Sequence, residues 1–216
     1  LFSGCKSSDR FNPDRREQLF NAEWKFMRDS IAGPEQPGFD DSGWQTVDLP
    51  HDWSVMDLKG DDREDQIGPF SRNSVGATAT GYVTGGTAWY RKHFTLDRKD
   101  AGKTAVIRFD GVYMETEIWI NGKPAGQHRY GYTPFWFDIT SLLNSPGEDN
   151  VIAVKVNNPG RNSRWYSGSG IYRNVHLILT QPLHIAVWGV YITTPIVSRD
   201  SAVVELEVTT QNNTEK

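Results

Sequence analysis

The chain reads as an all-β sandwich, and three observations predict it. Apolar residues recur at period two in short runs, Gly, Asn and Pro separate those runs, and no window of 11 or more residues sustains a helical period. Two antiparallel sheets placed face to face satisfy this pattern, since each strand then buries one side against the opposite sheet. The strand punctuation begins near residue 86. Ala88 to Leu96 sets Tyr90, Phe94 and Leu96 on one side, and Ala105 to Phe109 does the same with Ala105, Ile107 and Phe109, so both predict half-buried strands. Ile118-Trp119-Ile120 runs into Asn121-Gly122, a dipeptide that accepts the two positive φ angles of a type I′ turn, which predicts a hairpin returning near Ala125. Val151 to Val156 turns Ile152, Val154 and Val156 inward, and Val175 to Leu179 aligns Val175, Leu177 and Leu179. Gln181-Pro182 then interrupts the pattern. Two further strands follow, His184 to Thr193 and Ala202 to Thr209, the latter with Val204, Leu206 and Val208 on one face. An isolated hairpin is marginal in water, so residues 183–216 read as the truncated start of a second β domain.

The 216 residues allow one full domain and part of another. A domain of that size buries roughly 70% of its unfolded surface, so neither a metal nor a disulfide framework is needed, in keeping with the single Cys. With 27 acidic and 23 basic residues there is no basic excess to neutralise phosphates, which argues against nucleic acid as a partner. No apolar run approaches the roughly 20 residues of a membrane span. Eight Trp among 26 aromatic residues need a packed core or a ligand to cover them. At the start, Ser3 and Gly4 precede Cys5, and a polar run extends to Arg16. This predicts a lipoprotein signal remnant and linker over 1–16, with Cys5 lipidated and the protein in the bacterial envelope, periplasmic or on the outer membrane. A cloning remnant or a buried free thiol is the alternative.

Several chemistries find no footing. There is no HExxH, no paired CxxC and no Gly-rich phosphate loop, so no metal site and no cofactor are expected. Glu115 and Glu117 share one face of a strand at about 7 Å, a spacing compatible with a carboxylate pair, but an acidic pair opposite an apolar side is usually a solvated face. The acidic run 61–65 lacks the ligand order of a calcium loop and reads as exposed. The most unusual stretch is 161–173, RNSRWYSGSGIYR, where Gly and Ser let the backbone turn tightly while Arg164, Trp165 and Tyr166 offer planar and hydrogen-bonding surface. Such a loop suits a neutral sugar, which presents a C–H face and hydroxyls. Internal packing of Trp165 and Arg173 explains it equally well.

A longer pattern joins these segments. Trp44 to Trp53 with Leu-Pro-His-Asp-Trp, Gly85 to Phe94 with Trp89-Tyr90-Arg91, Phe109 to Tyr113, Trp119 to Lys123, Tyr130 to Phe135, Phe137 to Thr140 and Arg164 to Val175 occur in order over residues 17–181. Together they resemble the N-terminal domain of glycoside hydrolase family 2, the β-galactosidase family. The resemblance implies a jelly-roll sugar-binding domain over 17–181, an immunoglobulin-like sandwich beginning at 183, and, further along, a barrel with two catalytic glutamates. Family members are retaining glycosidases, with the carboxyls about 5–5.5 Å apart. The resemblance assigns no catalytic residue to this chain. It implies an inactive, non-catalytic part of an exo-glycosidase, most readily a β-galactosidase, with an oligosaccharide or glycoside as partner. A β-glucuronidase or β-mannosidase of the same family, or a stand-alone carbohydrate-binding module, are the alternatives. The pocket-completing loops would be the segments before Trp89 and before Trp165. There the sequence departs from familiar β-galactosidases: Gly85 or Gly86 stands in place of an amide side chain, and Arg164 in place of a carboxylate. A cation there could favour an anionic sugar, because charge-assisted hydrogen bonds are stronger than neutral ones. Arg173 is expected to be a buried anchor, and Asn121 and Gly122 turn formers. His51-Asp52-Trp53 either orders a loop facing the barrel or forms a local turn network.

Overall fold

Period-two sequence becomes two antiparallel sheets with their apolar sides together. The computed structural model describes residues 16–55, 66–67, 70–162, 165 and 167–214, so Cys5, Arg164, Tyr166 and the acidic run 61–65 lie outside the described residues. The strands among them are β1 (Glu17–Leu19), β2 (Trp24–Met27), β3 (Gln45–Val47), β4 (Gln66–Ile67), β5 (Phe70–Ser71), β6 (Gly86–Thr95), β7 (Thr104–Phe109), β8 (Glu115–Ile120), β9 (Lys123–His128), β10 (Phe135–Asp138), β11 (Asp149–Asn158), β12 (Val175–Thr180), β13 (Leu183–Val197) and β14 (Ala202–Asn212). Helical structure among the described residues is limited to three short 3-10 turns. One sheet has the order β1-β12-β7-β10, the other β3-β2-β6-β11-β8-β9.

The register shows why the layers close. Tyr90 pairs with Val154 and Phe26, and Val154 pairs with Ile118, which sends all four side chains to the same side of the larger sheet. Ile107 pairs with Leu177 and Phe137 in the smaller sheet. These rows meet in one buried core that also takes in Trp24, Trp53, Phe109 and Val175. The hairpin between β8 and β9 turns at Asn121 (φ 52°) and Gly122 (φ 78°), both left-handed as a type I′ turn requires. Asn121 also secures the turn with its side chain: Nδ2 donates to Leu142 O and Asn150 Oδ1, while Oδ1 accepts from Val151 N.

The middle strands differ from the half-buried expectation. Trp89 and Ala153 point away from the core, yet they are buried with Trp44 beneath the segment that joins β2 to β3. Arg91 explains this cover. It is 0% exposed, and its guanidinium donates to Asp41 Oδ2 at 2.8 Å and to the carbonyls of Pro34, Gln36, Pro37 and Phe39. A planar fork with five N–H donors can satisfy five acceptors at once, so one side chain fastens the whole cover. The expected buried anchor, Arg173, is instead exposed over the Tyr172 ring, 5.2 Å from its centroid.

β13 and β14 pair with each other as a separate hairpin. Apolar side chains are exposed along both strands, among them Tyr191, Ile192, Val204 and Leu206. Among the described residues, Arg16 donates to Ile185 O and Asn213 Nδ2 donates to Thr104 Oγ1 at 3.2 Å, tying the hairpin to the sandwich.

Candidate functional site

Antiparallel pairing of β6 with β11 sets Gly86 opposite Asn158, so the chain entering β6 and the chain leaving β11 emerge at the same end of the sandwich. The segment 50–55 joins them there. His51 N donates to Ile171 O at 2.8 Å and Trp53 N to Ser169 O at 3.1 Å. His51 is 3% exposed, and its Nδ1 lies 2.8 Å from Tyr90 Oη. Burial pushes the His51 pKa down to about 4, so the ring is neutral near pH 7, and burial drives the Tyr90 phenol well up. Trp53 is fully buried and its Nε1 donates to Gly85 O at 3.3 Å.

Between these two inward rings, Asp52 turns to the loops. Its Oδ1 accepts from Ser54 N at 2.9 Å and from Ser169 N at 2.8 Å. Burial raises its pKa, and the two backbone hydrogen bonds oppose that rise. Ser54 Oγ donates to Thr84 O at 2.5 Å and lies 2.6 Å from Ser169 Oγ, to which Asn158 Nδ2 donates at 2.8 Å. Tyr113 exchanges backbone hydrogen bonds with Gly170, both 2.9 Å, and its hydroxyl donates to Asn162 Oδ1 at 2.9 Å. Both flanks of the loop carrying Trp165 are therefore tied down. The indole itself stands 63% exposed. An aromatic face exposed to that extent between fixed flanks is suited to the C–H face of a pyranose.

More aromatic surface lies alongside. Tyr130 and Tyr132 are exposed, with ring centroids 5.6 Å apart, and Tyr132 meets Tyr113 edge-on at 5.4 Å. Tyr172 Oη donates to Gly131 O at 2.7 Å beside an open groove of about 400 Å³ lined by Pro50, Asp110, Pro134, Tyr172, Arg173 and Asn174. Glu115 and Glu117 stand exposed and paired with Asn157 and Lys155, as a solvated face would be. No cluster of metal-binding side chains occurs among the described residues.

Of the residues singled out for sugar contact, the structure describes Trp165 alone. It also shows that Thr84–Gly86, within the segment expected before Trp89, is joined to Ser167–Gly170, which follows Trp165, through Trp53, Ser54, Asp52 and Asn158. The sequence held a partial signal for this junction. An acidic residue two before a Ser forms a local turn readily, and Gly-Ser-Gly permits close approach, but their distance of 117 positions hides the link.

A family model described as "Glycosyl hydrolases family 2, sugar binding domain" matches residues 19–182. The chain is 44% identical to the beta-galactosidase BoGH2A of Bacteroides ovatus over 212 residues, covering 98% of this chain and 23% of that protein. It is 35% identical to a putative beta-glucuronidase of Formosa agariphila, covering 94% of this chain and 18% of the relative. Among solved structures, a glycosyl hydrolase family 2 member from Bacteroides cellulosilyticus superposes with a TM-score of 0.79 at 42% identity, over 92% of this chain and 25% of that one. A beta-glycosidase from Bacteroides vulgatus superposes with a TM-score of 0.81 at 33% identity, over 93% of this chain and 25% of that one. The chain thus spans about a quarter or less of the length of these proteins.

Proposed function

The chain belongs to glycoside hydrolase family 2, as its sugar-binding domain, and on that premise we propose that it is the non-catalytic N-terminal part of a retaining exo-glycosidase. The substrate is a terminal β-linked sugar, most readily β-galactose. The observation that carries this reading is the exposed indole of Trp165 on a loop whose two flanks are fixed. In this role the domain supplies no acid, base or nucleophile. It offers Trp165 as a stacking face, with Arg164 and Tyr166 as hydrogen-bond donors, and helps exclude water from the sugar while a glutamate pair in a barrel elsewhere in the polypeptide breaks the bond. Similarity to a beta-galactosidase at 44% supports galactose over glucuronate, while Arg164 supports the anionic sugar.

Hydrolysis of nitrophenyl β-galactoside, β-glucuronide and β-mannoside by the intact polypeptide tests this. One clear preference is expected, and inactivity on all three removes the assignment. Exposure of Trp165, Tyr130 and Tyr132 together favours a second reading, a binding module that retains affinity by itself. Calorimetry of the 216-residue chain with mono- and oligosaccharides decides it, since absence of heat eliminates that reading.

Two further assignments belong to this proposal. Residues 183–216 begin an immunoglobulin-like sandwich, supported by a hairpin with apolar side chains exposed along both strands. Cys5 carries a lipid that places the protein in the bacterial envelope, supported by Ser3-Gly4 ahead of it and the polar run behind it. Mass spectrometry of the native N-terminus would show diacylglycerol on Cys5, and an unmodified Cys5 thiol would refute the anchor.

A further inference from the structure

We propose that Asp52 and Ser54 are positioning residues: they lock the 84–86 and 167–170 backbones to each other and so set how Trp165 meets a sugar. The inference rests on the glycosidase reading and adds to it the residues that hold the binding loops in place.

The lock has a direction. Thr84 O can only accept, so the single proton of Ser54 Oγ goes to it. Ser54 Oγ also lies 2.6 Å from Ser169 Oγ, which accepts from Asn158 Nδ2 at 2.8 Å. Ser54, Ser169 and Asn158 are all buried, so no water competes for these protons and losing any one of the three would leave a buried polar group unpaired. Asp52 closes the arrangement by accepting from the backbone of both sides, Ser54 N and Ser169 N, at one oxygen. The loop lies directly on the carboxylate: a Cβ on Gly168 would fall 1.8 Å from Asp52 Oδ2. On the other side, a Cβ on Gly85 would fall 2.7 Å from Asn158 O. Both loops therefore touch the lock with backbone, where a side chain would push them apart.

A role confined to stability would lower the melting temperature and leave the sugar's affinity alone, whereas a positioning role separates KM from kcat. The test uses the intact polypeptide with Asp52→Ala, Asp52→Asn and Ser54→Ala, assayed on whichever nitrophenyl glycoside it prefers and by hydrogen exchange. Asp52→Ala, which removes both acceptor contacts, is expected to raise KM about tenfold while kcat stays within about threefold. Asp52→Asn keeps an oxygen for both N–H groups and should stay within about threefold of the parent in KM. Amide exchange over 84–86 and 168–170 should accelerate in Asp52→Ala and not in Asp52→Asn. Should Asp52→Ala fail to fold, Ser54→Ala, which breaks the chain at one link, must show the same KM rise and faster exchange. Unchanged KM and unchanged exchange in these loops, or equal damage from Asn and Ala, would overturn the proposal. If the parent hydrolyses none of the glycosides, the glycosidase reading fails, and the exchange measurement alone then decides whether the lock exists.

Discussion

His51 is a core histidine whose charge the fold refuses. Its pKa of about 4 lies below the ordinary 6.5, so the unfolded chain takes up the proton first as the solution is acidified. Stability is intact above pH 6.5 and falls as pH drops through the window down to about 4, by on the order of 3 kcal/mol once both states are protonated. Urea midpoints measured at pH 7 and 4.5 should lie further apart in the parent than in His51→Gln, and identical pH dependence in the two would contradict a buried neutral ring. Gly170 makes a sharper demand. Its φ is +118°, and a Cβ would fall 2.4 Å from Tyr90 Oη and 2.7 Å from His51 O. Gly170→Ala should cost about 3 kcal/mol or more, since strain and overlap add. Gly81, also left-handed but with nothing within 4 Å, should cost only about 1 kcal/mol on the same change. Equal losses from the two substitutions, read by denaturant titration, would refute this account. Neither requirement was legible in the residues themselves, because a His after Pro and a Gly between Ser and Ile look alike whether they face solvent or a packed tyrosine.

At the level of elements, long strands announce themselves and short ones do not. Ten residues in β6 and in β11 give the alternation several periods to show, whereas three in β1 and four in β2 or β10 give at most two. The Asn121-Gly122 turn was readable because its chemistry is local. Arg91 was not. In an alternating strand an Arg on the outward side is ordinarily solvated, and only the segment of residues 28–44, which lies over it, makes the position buried. The same blindness placed Arg173 inside, since an Arg within an aromatic-rich loop carries no mark of which way it faces. Arg91→Ala would leave Asp41 and several carbonyls without their donor, for an expected loss of about 3–5 kcal/mol. Arg91→Lys should recover little of it, because an ammonium cannot reach acceptors spread across a fork. Proteolysis confined to residues 33–41 in Arg91→Ala would report the freed cover, and a parent-like urea midpoint would show that the guanidinium is dispensable.

For the molecule as a whole, the sandwich and the β13–β14 hairpin make unequal claims. The sandwich owns a continuous core, while the hairpin exposes Leu183, Tyr191, Ile192 and Leu206 and, among the described residues, touches the sandwich through hydrogen bonds such as that from Asn213 to Thr104. Shortening the chain to residue 182 should therefore shift Tm by less than about 4 °C and abolish binding of a hydrophobic dye. A large fall in Tm would mean that the hairpin is part of the cooperative unit. Gln181-Pro182 marked the break between β12 and β13, and motifs spread along the chain marked the family. The sequence could not foretell the meeting of residues 52, 84, 158 and 169, because hydrogen-bond geometry belongs to the fold and not to any one segment.

The outer side of the central strands is already occupied by the chain's own cover, held by a guanidinium that solvent cannot reach. A molecule approaching that face thus meets the cover and not the strands, which leaves the rim as the place where short hinge-to-hinge cassettes can be exchanged without disturbing the layered chassis beneath. Transplanting such cassettes between relatives that prefer different glycans would carry preference along, with refolding yield left as it was.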